Sequence, residues 1–93
     1  MLKHNVYFEG QVQSIGFERN GRRQTAGVID RGEFHFGTDA AERMTVVSGE
    51  LAVKFDRSTD WKSYPSGTSF EIAAKSGFDV RATFPTAYLC EFL

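Results

Sequence analysis

Short runs of alternating apolar and polar residues, separated by turn signals, constrain this chain more than any other feature of its sequence. Residues 12–17 alternate and lead into an Asn-Gly turn at 20–21, and residues 44–55 form a hairpin pattern around Gly49. Similar runs lie at 26–30, 33–36, 68–72, 78–82 and 88–92. Alternation indicates half-buried strands, and many short strands joined by turns are typical of sandwiches and barrels. The sequence therefore predicts an all-β domain of seven or eight strands, with one helical turn at 39–42.

The size and charge of the chain exclude several classes of partner. Its 93 residues predict a single domain, 1–93, and its 11 Lys and Arg against 12 Asp and Glu leave a net charge of −1. This balance gives no electrostatic reason to expect a nucleic acid or an anionic membrane as partner. No apolar run approaches the ~18 residues of a membrane span, and no signal-peptide pattern is present. We therefore expect a soluble protein of the cytoplasm.

The single cysteine, Cys90, cannot form an internal disulfide, which fits a reducing compartment. In the last predicted strand Tyr88, Cys90 and Phe92 share one face, while Leu89 and Glu91 share the other. Because Glu91 belongs in water, we expect Cys90 to face the core. Its predicted role is that of a small buried apolar residue rather than a catalytic thiol.

The segment 35–49 resembles the first motif of the cupin family, a family of small β-barrels that often bind a metal. Glu42 and Gly49 have the spacing of the cupin Glu and closing Gly. His35 stands at the position of the first metal-binding histidine, but Gly37 stands at the position of the second. The resemblance implies a cupin-like barrel of the jelly-roll type.

The second cupin motif is also only partly present. Its Pro-x-Gly element lies at 65–67, but Phe70 and Ala74 occupy the positions of its His and Asn. The remaining His35 and Glu42 cannot make the three or four ligands that zinc, iron or manganese requires. The sequence thus predicts no metal. His35 is then a strand histidine that is exposed or satisfied by a hydrogen bond, with a ligand or metal role as the alternative.

A closer resemblance extends over nearly the whole chain. Its motifs are N-x-Y-F-x-G at 5–10, S-I-G-F at 14–17, G-E-F-x-F at 32–36, M-T-V-x-S-G at 44–49, D-W at 60–61 and P-T-x-Y-L-C at 85–90. Together they resemble the pyrimidine/purine nucleoside phosphorylase family of bacteria. The resemblance implies a homodimeric, metal-independent pentosyltransferase that needs no cofactor. Its substrates would be purine and pyrimidine nucleosides and inorganic phosphate, and its products free base and α-D-ribose 1-phosphate.

Phosphorolysis requires a cation that holds a phosphate dianion, and arginine does this best because it donates two parallel hydrogen bonds. Seven of the 11 basic residues are arginine, and three of them cluster at positions 19, 22 and 23. Arg23 best matches the family's arginine before a Gly-Val pair, so we expect it to bind phosphate. Arg19 and Arg22 fit a solvated turn equally well. Arg81 is the second candidate, although it could equally lie on the outer face of its strand.

Glu42 is the predicted ribose ligand, because a carboxylate can accept hydrogen bonds from both the 2′- and 3′-hydroxyls and favours a cationic sugar. Its alternative role is a surface glutamate that caps a turn. The predicted further hydroxyl contacts are Thr38, Thr45 and Ser76. The predicted aromatic contacts to the base are Tyr7, Phe36, Phe70 and Phe78, although each of them suits the core as well. Stacking would tolerate many bases.

Two other functions stay open on the sequence. A metal-free cupin could bind a small ligand without turning it over, and a cupin dioxygenase or isomerase could use His35 and Glu42 as metal ligands. The missing second histidine argues against the metalloenzyme.

Overall fold

The computed structural model describes all 93 residues, and ten antiparallel strands dominate it. The strands are β1 (Lys3–Tyr7), β2 (Val12–Arg19), β3 (Arg22–Ile29), β4 (Gly32–Gly37), β5 (Glu42–Ser48), β6 (Glu50–Phe55), β7 (Lys62–Pro65), β8 (Ser69–Ile72), β9 (Gly77–Ala82) and β10 (Thr86–Phe92). The all-β prediction is therefore confirmed. The sequence pattern missed β1 and β7 as separate strands.

The strands form two sheets that pack face to face. The six-stranded sheet has the order β1-β2-β3-β10-β5-β8, and the four-stranded sheet has the order β4-β9-β6-β7. One cluster of 15 buried residues fills the space between them, including Met44 and Val46 from the larger sheet and Phe78 and Val80 from the smaller. The fold confirms the predicted cupin-like, jelly-roll class, and its two sheets form a sandwich that does not close into a barrel.

The helical turn predicted at 39–42 is wrong. Glu42 begins β5, and the residues before it form a bend. This bend is held across the molecule instead of by local hydrogen bonds. The Thr38 N–H donates to the Ser76 carbonyl at 3.0 Å, and the Thr38 hydroxyl donates to the Ala73 carbonyl at 2.7 Å. Non-local partners therefore replace the bonds that a helical turn would need.

The only helical turn is a short 3₁₀ segment, Phe8–Gly10, between β1 and β2. Phe8 and Glu9 both adopt positive φ angles, 51° and 57°, which are uncommon for residues other than glycine. The turn brings the Phe8 ring to 5.0 Å from Phe34 and 6.1 Å from Phe36. A helical segment that could span a bilayer is absent from the structure.

Candidate functional site

A cavity of ≈ 260 Å³ lies between the inner face of the six-stranded sheet and the aromatic side chains of the facing layer. Its aromatic wall includes Phe8, Phe36 and Phe92. Its other polar or ionisable side chains are Tyr7, Ser14, Thr25, His35, Glu42, Tyr88 and Cys90. Small-molecule sites are commonly mostly apolar with a few placed polar groups, and their volumes start near about 300 Å³. The cavity therefore has the composition and nearly the size of a site for one small organic molecule.

Glu42 is the only carboxylate that lines this cavity. Strand register places it opposite Phe92 of β10, and the Cys90 thiol donates a hydrogen bond to its Oε1 at 3.4 Å. Burial is the main reason why the pKa of Glu42 is raised, the nearby charge of Asp39 raises it further, and the bond from Cys90 opposes the shift. Keeping a carboxylate ionised in a partly buried site with few polar partners costs free energy. This cost is typical of functional groups.

Cys90 faces inward and is 4% exposed, which confirms its predicted burial. Burial and the adjacent Glu42 carboxylate both raise the pKa of its thiol. The thiol therefore stays protonated at neutral pH and donates to Glu42 instead of acting as a nucleophile.

We expect Cys90 to resist alkylation in the folded protein, because only the thiolate reacts with iodoacetamide. Mass spectrometry after iodoacetamide treatment at pH 7.5 should show unmodified native protein and complete modification in denaturant. Rapid labelling of the native protein would contradict this account of the thiol.

Tyr88 lies on the inner face two residues before Cys90 and is 6% exposed. Its ring crosses Gly27 on the neighbouring strand, where a Cβ atom would stand 2.6 Å from both Cζ and the hydroxyl oxygen. Burial raises the pKa of Tyr88, and the charges of nearby ionisable groups, Cys90 first, raise it further. The phenol therefore remains a neutral hydrogen-bond donor inside the cavity.

Arg23 stands at the edge of the cavity. Along β3 it shares the inner face with Thr25, which lines the cavity, and its guanidinium carbon lies 4.9 Å from the ring centroid of Phe92. It forms none of the ion pairs of the protein. The stacking on Phe92 restrains the guanidinium without occupying its N–H groups. Arg23 therefore offers free donors beside the cavity.

Several predicted site residues lie elsewhere. Arg81 is on the outer face of the four-stranded sheet, where it pairs with Glu33 at 3.1 Å and stacks at 4.1 Å on Trp61. Thr45 is on the outer face of β5 and shares a 2.8 Å hydrogen bond with Ser69. Both residues therefore lie outside the cavity, and for Arg81 this is the outward orientation that the sequence had left open.

Four further candidates lie outside the cavity, namely Phe70, Phe78, Thr38 and Ser76. Phe70 and Phe78 are buried in the core, with their rings 5.6 Å apart. Thr38 is buried, and its hydroxyl also accepts a hydrogen bond from the Ser76 N–H at 3.0 Å. These four residues do not line the cavity, whereas Tyr7, Phe36 and Glu42 do.

The model of the pyrimidine/purine nucleoside phosphorylase family matches residues 2–92. A pyrimidine/purine nucleoside phosphorylase of Sorangium cellulosum is 75% identical over the full length of both chains. The chain belongs to the pyrimidine/purine nucleoside phosphorylase family. A second relative of the same description, from Anaeromyxobacter, is 69% identical over all of this chain and 89% of its own.

Two solved structures show how closely other proteins share this fold. A protein of unknown function from Vibrio parahaemolyticus has a TM-score of 0.97 at 47% identity, covering 100% of this chain and 99% of its own. A more distant likeness is the hydroxypropylphosphonic acid epoxidase of S. wedmorenis, with a TM-score of 0.80 at 12% identity over 99% of this chain and 55% of its own. At that identity the likeness shows the cupin-like fold alone.

The family's fold raises the question of a metal, and the donor set does not fit one. No three or more His, Cys, Asp or Glu side chains group as metal ligands. His35 borders the cavity, but its ring crosses Gly77 and its Nε2 lies 3.0 Å from Asp56 Oδ1. Its side chain is 52% exposed, so it is the exposed, hydrogen-bonded strand histidine that we expected. Glu42 and the protonated Cys90 are too few to hold a cation.

The candidate site contains residues that the sequence reasoning did not assign to it, namely Phe8, Ser14, Thr25, Tyr88, Cys90 and Phe92. Alternation had placed Tyr88, Cys90 and Phe92 on one inward face, and that signal could have found them. Phe8 carried no such signal, because its position depends on the positive-φ turn that follows β1.

Proposed function

We propose that this family member is a nucleoside phosphorylase, a pentosyltransferase that converts purine and pyrimidine nucleosides and inorganic phosphate into free base and α-D-ribose 1-phosphate. One observation carries the proposal. A single partly desolvated carboxylate, Glu42, lies inside an aromatic-walled cavity, and an unpaired arginine, Arg23, lies at its edge. The names of its relatives supply the reaction class.

Glu42 suits the ribose. Its Oε1 already accepts a hydrogen bond from the Cys90 thiol, and the carboxylate has further lone pairs for hydrogen bonds from the two ribose hydroxyls. As the bond from C1′ to the base lengthens, positive charge develops on the sugar ring. A carboxylate in a site of low dielectric stabilises that charge more than it would in water.

Arg23 suits the phosphate. The cavity is small enough that one nucleoside would fill most of it, which leaves the dianion at the edge, where the guanidinium lies. An oxygen of hydrogenphosphate forms the new bond to C1′ while the old bond breaks and its electron pair passes to the base. The proton of hydrogenphosphate ends on the base, so atoms and charge balance. No cofactor is required.

Aromatic residues suit the base. Tyr7, Phe8 and Phe36 line the cavity. Base stacking on aromatic rings is worth about 1–3 kcal/mol and depends little on the identity of the base. A wall of this kind supports a range that includes both purines and pyrimidines.

The test of this function is incubation with uridine or adenosine, with and without inorganic phosphate, followed by chromatography of the base and phosphorus NMR of the sugar. We expect base and α-ribose 1-phosphate in equal amounts, and only when phosphate is present. Thermal stabilisation by a nucleoside without any product would instead favour the small-ligand-binding protein. No effect of any common nucleoside would exclude the phosphorylase and would restrict the binding protein to ligands of another class.

The enzyme is proposed to act as a homodimer in the cytoplasm. The outer face of the six-stranded sheet exposes Ile15, Val28 and Val47, which are 37%, 49% and 60% exposed and lie over a shallow groove. Apolar faces of this kind favour association with a second copy. We expect light scattering to give twice the chain mass, and Val28→Glu to give the monomer. A monomeric wild-type protein at micromolar concentration would contradict the dimer.

A further inference from the structure

We infer that the Tyr88 hydroxyl donates a hydrogen bond, and where needed its proton, to the departing base. This inference rests on the proposed phosphorolysis and adds the one role that Glu42 and Arg23 leave unfilled. Both purine and pyrimidine bases leave with an electron pair that must be neutralised, at a ring nitrogen or a carbonyl oxygen. A site that accepts both kinds of base needs a donor that reaches either atom.

The first argument is the placement of the Tyr88 ring. Its hydroxyl lies over Gly27, the one inner-face position of β3 without a side chain, and a Cβ there would also stand 2.8 Å from the Gln13 carbonyl. The ring therefore leans across β3 toward β2 instead of standing upright from its strand. This orientation carries the phenol along the inner face of the sheet, and Tyr88 contributes to the cavity wall.

The second argument is a line of hydroxyl and amide groups behind the phenol. Strand register puts Ser14 opposite Gly27, and Asn5 opposite Ser14. Asn5 Nδ2 donates to the Ser14 hydroxyl at 3.3 Å, and the Ser14 side chain lies close enough to the Tyr88 phenol to oppose part of the rise in its pKa that burial causes. Ser14 is only 4% exposed, whereas most serines in folded proteins lie at the surface. The phenol is thus supported from the side away from Glu42.

The third argument is the order of the groups along the sheet. Tyr88 lies four residues before Phe92 on β10, and Phe92 pairs with Glu42 and contacts Arg23. At about 3.4 Å per residue, the backbone positions of Tyr88 and Phe92 are roughly 14 Å apart along the strand. A nucleoside with its ribose at Glu42 would extend its base toward Tyr88, while phosphate approaches from Arg23. Attack from the side opposite the base inverts C1′ and yields the α product.

The step balances. The bond from C1′ to the base nitrogen breaks, its electron pair moves into the base, and the Tyr88 O–H donates to the atom that gains charge. If the proton transfers, the phenolate recovers one from hydrogenphosphate, whose proton is released when the sugar phosphate forms. General acid assistance of this kind typically contributes about 10²–10⁴-fold in rate.

The experiment compares substrates whose bases differ in their need for a proton. Tyr88→Phe should lower kcat on uridine about 10²-fold but should lower kcat on 5-fluorouridine much less, because fluorine stabilises the departing anion. The purine pair is guanosine and 7-methylguanosine, whose cationic base leaves neutral without protonation. The control is Tyr64→Phe, which removes the hydroxyl of a buried core tyrosine outside the cavity. It should leave kcat on both uridine and 5-fluorouridine unchanged.

Equal loss on uridine and 5-fluorouridine would overturn the inference, because it would show that Tyr88 only shapes the cavity. Unchanged activity of Tyr88→Phe would overturn it as well. Ser14→Ala provides a second variant should Tyr88→Phe fail to fold, with an expected loss of about tenfold and the same preference for 5-fluorouridine; an equal loss on both substrates would count against the inference. Failure of the proposed function is a different result, since the wild-type protein would then release no base from any of these nucleosides.

Discussion

Glu42→Gln is expected to lower turnover on uridine and adenosine alike, by about 10²–10³-fold, the range found when one electrostatic stabiliser of a transition state is removed. The loss should be uniform because every nucleoside brings the same ribose, and glutamine keeps the size and one acceptor of the side chain while removing its charge. The measurement is kcat on both substrates at saturating phosphate.

The matched control for Glu42 is Glu71→Gln. Glu71 is an exposed carboxylate on β8, the strand next to β5, and it pairs with Arg43 at 3.1 Å on the outer surface. Its substitution should leave kcat unchanged. Retained activity of Glu42→Gln, or a loss confined to one class of base, would show that Glu42 does not hold the ribose.

Glu42→Gln should also stabilise the fold at neutral pH. The pKa of Glu42 is raised above the ordinary value of 4.5, so the folded protein favours the protonated form more than the unfolded chain does. The unfolded chain therefore binds fewer protons than the folded protein between the two pKa values, and stability falls as pH rises through this window. The neutral glutamine avoids that loss. We expect a higher Tm than wild type at pH 7 and no such gain at pH 4, where both states are largely protonated.

Arg23→Ala is expected to raise the KM for phosphate by about 10- to 100-fold, because charge-assisted hydrogen bonds contribute about 1.5–3 kcal/mol. The KM for the nucleoside should change much less. Arg23→Lys should recover part of the loss, since lysine keeps the charge but not the two parallel donors. Initial rates at varied phosphate and fixed uridine measure the effect.

Arg22→Ala is the control for Arg23. The two arginines are adjacent on β3 and therefore point to opposite faces of the sheet, and both are exposed. Arg22→Ala should leave the KM for phosphate unchanged. Equal effects of the two substitutions would indicate only the general positive field of this turn, and an unchanged KM in Arg23→Ala would remove Arg23 from the phosphate site.

The fold was largely predictable because it follows from local alternation. Hydrophobic side chains at every second position identified β5, β6, β9 and β10, and the same rule placed Cys90 in the interior. The rule failed at 39–42, where Thr38 is held by residues more than 30 positions away. It also failed to separate β1, which lies at the edge of the larger sheet with no buried side chain.

The candidate site was less predictable because residue chemistry does not reveal which way a side chain points. Arg81 has the right chemistry for phosphate, but it lies on the same outward face as Asp79 and stacks on Trp61. Phe70 and Phe78 have the right chemistry for stacking, but they pack against each other in the core. Only the register of β3 and β10 against each other brings Tyr88 over Gly27.

The most direct test of the account is a crystal structure of the protein soaked with phosphate and pseudouridine, a nucleoside whose carbon–carbon glycosidic bond cannot be phosphorolysed. We expect the ribose hydroxyls within hydrogen-bond distance of the Glu42 carboxylate and phosphate on the Arg23 guanidinium, with the base extending toward Tyr88. Pseudouridine bound outside this cavity, for example in the shallow groove over Val28 and Val47, would contradict the account.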